Sequence, residues 1–249
     1  MEEVVPSPDP GPSPAPEHGT VYRHRLATRI WHWVNAVTVF VMIGSGLTIL
    51  NAHPHLYWGQ YGANYDRPWL DTPHWPSWLT IPSSYNLALA RRWHLTFALV
   101  LGFGLLAFMI ASLINRHFQR DLRVRAKEVA PQHLAADVAA HARFDFRNPD
   151  DPAAYNTLQK LSYVATIFVL IPVMILTGLA MSPAMDAAWP WLVEMVGGRQ
   201  SARSIHFIAA ALLVAFIVVH LTLVILAGPV GEVRSMITGR WRLPGRREP

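Results

Sequence analysis

The chain has 249 residues, of which 52% are hydrophobic and 15% charged, with 21 Lys and Arg against 16 Asp and Glu. A soluble domain of this size carries about a quarter charged residues, so the composition points to lipid. With no cysteine in the sequence, iron–sulfur clusters, thiolate zinc, covalently attached c-type haem and disulfides are excluded, and any redox cofactor must be held by histidine or by non-covalent packing.

Residues 1–20, MEEVVPSPDPGPSPAPEHGT, are rich in Pro, Ser and acid and have nothing to bury, which predicts a disordered tail. Four runs without Asp, Glu, Lys or Arg follow, at 30–50, 93–114, 161–181 and 205–227. A helix rising about 1.5 Å per residue needs about 20 residues to cross the hydrocarbon core. The predicted fold is therefore an all-α integral membrane four-helix bundle over 21–241, followed by a basic tail at 242–249. The first run is too long for the apolar part of a signal peptide and lacks a small-residue cleavage site after Leu50, so it is expected to remain in the mature protein.

The net charge of +5 could suggest a nucleic-acid binder, but its placement argues otherwise. Sixteen of the 21 Lys and Arg fall before the first run, between the second and third, or after the fourth. By the positive-inside rule both termini are expected to be cytoplasmic.

Segment 51–92 is expected outside. Its Tyr57, Trp58, Tyr61, Tyr65, Trp69, Trp75, Trp78 and Tyr85 alternate with prolines, as an interfacial belt or a docking platform would. The inside loop 115–159 opens with RHFQRDLRVRAKE, read as a solvated helix extension facing lipid headgroups. Pro172 is expected to kink the third helix. No internal repeat stands out.

Four of twelve histidines fall in the runs: His32, His94, His206 and His220. Ionisable residues inside a membrane are expensive and mark functional sites. Alternating direction puts His94 and His206 near the outer face, and His32 and His220 near the inner. The level match requires the first helix to begin nearer Leu26. The fourteen residues from His206 to His220 span about 21 Å and nearly four turns, so both project from one face. A single such histidine is ordinarily a hydrogen-bonded core residue, but two level pairs point to two haems, each iron clamped between two imidazoles. Two ligands per level, with no carboxylate or thiolate, fit zinc or copper less well. His24, His53, His55 and His74 are the fallback ligands.

Gly46 stands at the depth of the outer pair, where a missing side chain lets a macrocycle approach; Gly44, Gly102, Gly104 and Gly178 can act similarly or simply serve helix packing. For the anionic propionates, Arg91, Arg92 and Arg203 are placed outside, and Arg23, Arg25 and Arg29 inside. Ordinary snorkelling accounts for the inner three nearly as well.

The stretches RIWHWVNAVTVFVMIGSGL (29–47), RRWHLTFALVLGFG (91–104) and GGRQSARSIHFIAAALLVAFIVVHLTLVILAG (197–228) resemble the bacterial cytochrome b561 type. That group includes the di-haem b subunits of nickel-iron hydrogenase, formate dehydrogenase and thiosulfate reductase. The resemblance implies ligands on the first, second and fourth helices, two of them on the fourth, and His32, His94, His206 and His220 match. NAHPHLYWGQYG and EVRSMITGRW are similar to the thiosulfate-reductase-type branch, which implies a periplasmic molybdopterin oxidoreductase as partner and quinone near His220. The expectation is an electron-transfer subunit with two haem b, in the bacterial inner membrane. Two alternatives are a stand-alone superoxide:quinone oxidoreductase, with Arg91, Arg92, Arg199 and Arg203 steering the anion, and a haem-free membrane anchor.

Overall fold

The computed structural model describes residues 20–63, 65–114, 124, 128–143 and 157–242. Four helices are long and apolar enough to cross a membrane: α1 (Leu26–Ala52), α2 (Leu87–Ile114), α4 (Thr157–Ala180) and α7 (Arg199–Ala227). Each begins a turn or more before its charge-free run. The extra turns carry Arg29, Arg91, Arg92, Lys160, Arg199 and Arg203, whose long apolar stems let a charged head reach water from a helix that has already started. Helix α1 does begin at Leu26, as the level match required. In α4 the turn Thr166–Leu170 widens to a π-helix immediately before Ile171 and Pro172. Pro172 lacks the N–H of a regular ladder, and the wide turn absorbs that loss.

The bundle is two helical hairpins. Helix α1 runs along α2 and α4 along α7, while backbone approach between the two hairpins is sparse. Side chains bridge them at mid-depth: Met42 of α1, Leu101 of α2 and Ile171 of α4 form a buried cluster, flanked by Phe97, Leu105 and Ile175.

The short elements close both ends. Strand β1 (Thr20–Tyr22) pairs antiparallel with β4 (Arg240–Arg242), so both ends of the described chain meet at one end of the bundle, as an even number of crossings requires. There Gly228, at φ 106°, ends α7 in a left-handed conformation that glycine adopts freely, and α8 (Pro229–Thr238) follows. Arg29 donates to the Ile237 carbonyl in the last turn of α8, and Arg23 meets Glu232 at 3.5 Å.

At the other end, segment 51–92 is a folded cap. Strands β2 (His55–Leu56) and β3 (Leu70–Asp71) pair, and Leu56 and Tyr57 are buried. Ile81 N donates to Gly44 O at 3.0 Å, fastening the cap to α1. Helices α5 (Pro183–Ala188) and α6 (Trp191–Met195) complete this end, where Leu192 and Val193 pack on Ala180 and Ala202. Helix α3 (Pro131–Ala142) falls between α2 and α4 in the chain and packs on the first turns of α4. Apart from Thr20 and Arg242, the two tails lie outside the described residues, as does most of the basic stretch after α2.

Candidate functional site: two histidine pairs

Helix α7 carries one histidine of each pair, because fourteen residues are close to four turns. His206 is the eighth residue of α7, level with His94, the eighth of α2. Their ring centroids lie 6.2 Å apart with planes at 60°. Toward the termini, His32 of α1 and His220 of α7 lie 6.3 Å apart at 57°. The pairs are those the spacing implied.

The separation itself is informative. A direct N–H···N hydrogen bond between two facing imidazoles puts their centroids about 5 Å apart. A nitrogen bound to a transition metal sits at about 2.0 Å, and its ring centroid about 1.1 Å further, so two rings on opposite sides of one iron have centroids about 6.2 Å apart. Both pairs therefore fit a bis-imidazole iron. Among the described residues no three His, Cys, Asp or Glu side chains converge on one point.

Each ring near the capped end rests in a matching cradle. His94 Nδ1 is 3.0 Å from Ser45 Oγ on α1, and His206 Nδ1 is 2.9 Å from Thr177 Oγ1 on α4. A Cβ added to Gly46 would lie 3.5 Å from His94 Cε1, and one added to Gly178 would lie 3.6 Å from His206 Cε1. Gly46 thus lies against the His94 imidazole itself. The residues involved are VMIGSGL at 41–47 and VMILTGL at 173–179, a short repeat on α1 and α4. The expectation of no internal repeat is corrected, and the hydroxyls it contains are the site residues that the sequence reading missed. At the other level His32 Nδ1 is buried without a partner among the described residues, and Phe216 stacks on His220 at 5.8 Å.

The segment 51–92 fixes the depth of His206. Gly59 O accepts from Gln200 N at 3.0 Å and Ser201 N at 3.1 Å, satisfying first-turn donors of α7. Ser204 Oγ, itself accepting from Trp69 Nε1 at 2.8 Å, donates to Tyr57 O at 2.5 Å.

The arginines divide. Arg203 spends donors on the carbonyls of His53 and His55. Arg91 lies close enough, with Arg203, to act on His53: partial burial first, then these two cations, hold that imidazole below its ordinary pKa. Arg92 borders a recess with Leu89, Trp93, Thr96 and Phe97, two residues and so about 200° round α2 from His94. Arg29 is committed to α8. Of the fallback histidines, His55 pairs with Asp71 at 2.5 Å, His74 lies 5.2 Å from the Tyr85 ring, and His24 is buried beside the β1–β4 pair.

Comparison with known proteins identifies the family. Residues 23–239 match the family model of prokaryotic cytochrome b561. The putative protein-methionine-sulfoxide reductase subunit YedZ1 of Azospira oryzae is 27% identical over 201 residues, which cover 80% of this chain and 87% of that protein. The probable Ni/Fe-hydrogenase B-type cytochrome subunit of Cupriavidus necator is 23% identical, covering 88% and 85%. Its counterpart in Azotobacter vinelandii is 23% identical, covering 90% and 88%. No solved structure gives a significant match.

Proposed function

The chain belongs to the prokaryotic cytochrome b561 family, and from that premise we propose that it is a di-haem b-type cytochrome subunit passing electrons between a periplasmic redox protein and membrane quinone. One observation carries the reading: two histidine pairs, 6.2 and 6.3 Å between centroids, at two depths of one bundle.

The chain's own residues have distinct parts. His94 and His206 would hold one iron and His32 and His220 the other, a pair of imidazoles at each that would suit electron transfer rather than substrate binding at the metal. A haem bound at each pair would supply one-electron reduction and oxidation. Met42, Leu101 and Ile171 exclude water between the levels. Arg91 near the cap and Arg25 near the termini are the arginines proposed as propionate partners, while Arg203 is held by the His53 and His55 carbonyls, Arg23 by Glu232 and Arg29 by the Ile237 carbonyl. The Lys and Arg distribution supports an orientation with the termini cytoplasmic and the cap periplasmic.

On that orientation the partner docks on the cap, where Tyr61, Tyr65, Trp78, Trp189 and Trp191 are exposed. The relatives' names, a reductase subunit and hydrogenase subunits, support a redox enzyme as partner. A molybdopterin oxidoreductase is the reading favoured by the sequence around 51–62 and 232–241. Quinone would react beside His220.

The test is the dithionite-reduced minus oxidised visible spectrum of the detergent-purified protein, with haem counted per chain, for wild type, His206→Ala and His220→Ala. Two low-spin b haems, one lost in each variant, are expected. A colourless protein would leave only the anchor function, and two haems in both variants would overturn the ligand assignment.

A further inference from the structure

The two hydroxyls of the repeated cradle have a chemical role of their own. Ser45 Oγ has a single hydrogen, and at 2.7 Å from Val41 O that hydrogen is committed to the carbonyl one turn back. Thr177 Oγ1 is committed likewise to Val173 O at 2.6 Å. Such back-bonding leaves each oxygen only lone pairs to offer, so the ring nitrogen facing it must be the donor. His94 and His206 are therefore both Nδ1–H tautomers, with the Nε2 lone pair free for the space between them. Ser45 is 0% and Thr177 2% exposed, so water does not compete for these bonds.

The other level lacks this device in the one ring where it can be read. His32 Nδ1 is buried with no hydrogen-bond partner among the described residues, so none of them draws on an N–H there. An imidazole whose N–H is held by an acceptor is a stronger electron donor to its metal and favours the oxidised ion.

We propose that Ser45 and Thr177 are positioning residues that lock His94 and His206 in the iron-binding tautomer and lower the reduction potential of that level, biasing electrons toward the His32–His220 level. This rests on the di-haem reading.

The experiment is a spectroelectrochemical titration of the purified full chain, with haem counted per chain and low-spin ferric EPR recorded. Wild type is compared with Ser45→Ala, Thr177→Val and the hydroxyl-retaining Ser45→Thr and Thr177→Ser. The expected result is that Ser45→Ala and Thr177→Val each raise one of two midpoint potentials, move the same EPR signal and leave the other pair of values in place. Haem retention at that level falls about 10-fold or more, and a variant that loses one haem loses the one that His206→Ala removes. The hydroxyl-retaining variants keep wild-type values. Unchanged potentials, a downward shift, or equal movement of both potentials would overturn the proposal. A wild type with fewer than two haems would instead overturn the di-haem reading on which it stands.

Discussion

Replacing Gly198 by Ala should destabilise the protein by about 3–5 kcal/mol, although residue 198 touches neither histidine pair. Gly198 precedes α7 at φ 109° and ψ 170°, a region nearly closed to residues with a Cβ, which costs about 1–3 kcal/mol. The new Cβ would stand 2.6 Å from Gly59 O and 2.7 Å from Gln60 Cα and N. Those are backbone atoms, so segment 59–60 must move. Moving it withdraws Gly59 O from Gln200 N and Ser201 N, and Gly59 N from Ser201 Oγ at 2.7 Å. Each loss costs about 1 kcal/mol, partly recovered where water reaches the site. Gly197 is the internal control: its φ is also positive, at 80°, but an added Cβ meets nothing nearer than Ser201 Oγ at 3.5 Å. Gly197→Ala should therefore cost only the backbone strain. The assay is thermal unfolding in detergent by tryptophan fluorescence, with haem release followed in parallel. Gly198→Ala should melt well below Gly197→Ala and, on the proposed ligation, release first the haem assigned to His206. Equal stability of the two variants would refute the argument that the cap's contact at Gly59 sets the position of α7.

Two further outcomes follow from the same geometry. If the chain holds two haems as proposed, Gly46→Ala should keep both, because a methyl 3.5 Å from His94 is in ordinary contact, whereas Gly46→Val drives a branch into the ring and should reduce the count to one. Partial burial, Arg203 and Arg91 hold the His53 imidazole below the usual histidine value of about 6.5. Just under that pH the unfolded chain therefore binds more protons than the folded one, and stability is lost as pH falls through the window. His53→Gln should flatten the fall in melting temperature between about pH 7 and pH 5; an unchanged slope would remove His53 from the account.

What could be read from the sequence follows from the length scale of each signal. A spanning helix is written in about twenty consecutive residues, so all four were legible, and a spacing of fourteen fixes the relative depth of His206 and His220 without any knowledge of packing. The ends were misplaced because Arg29, Arg91 and Arg199 sit inside helices at depths where a charge-free count stops. Ser45 and Thr177 escaped notice because a buried hydroxyl in an apolar run reads as filler until an imidazole is found opposite it, and the repeat that holds them is only a few residues long. The cap was legible as aromatic but not as folded: its decisive bonds, such as Gln200 N to Gly59 O, use backbone atoms far apart in sequence, which leave no side-chain signature.

The two levels also have an electrical consequence. About 21 Å of helix separates them, in a hydrocarbon core of about 30 Å, so an electron passing from the cap level to the terminal level crosses about 70% of the membrane field. In the orientation proposed, that transfer runs toward the negative side and is opposed by about 1.6 kcal/mol per 100 mV of membrane potential. An energised membrane would hold electrons back at the cap, so in that orientation transfer toward quinone builds the membrane potential it works against, and electron flow outward dissipates it.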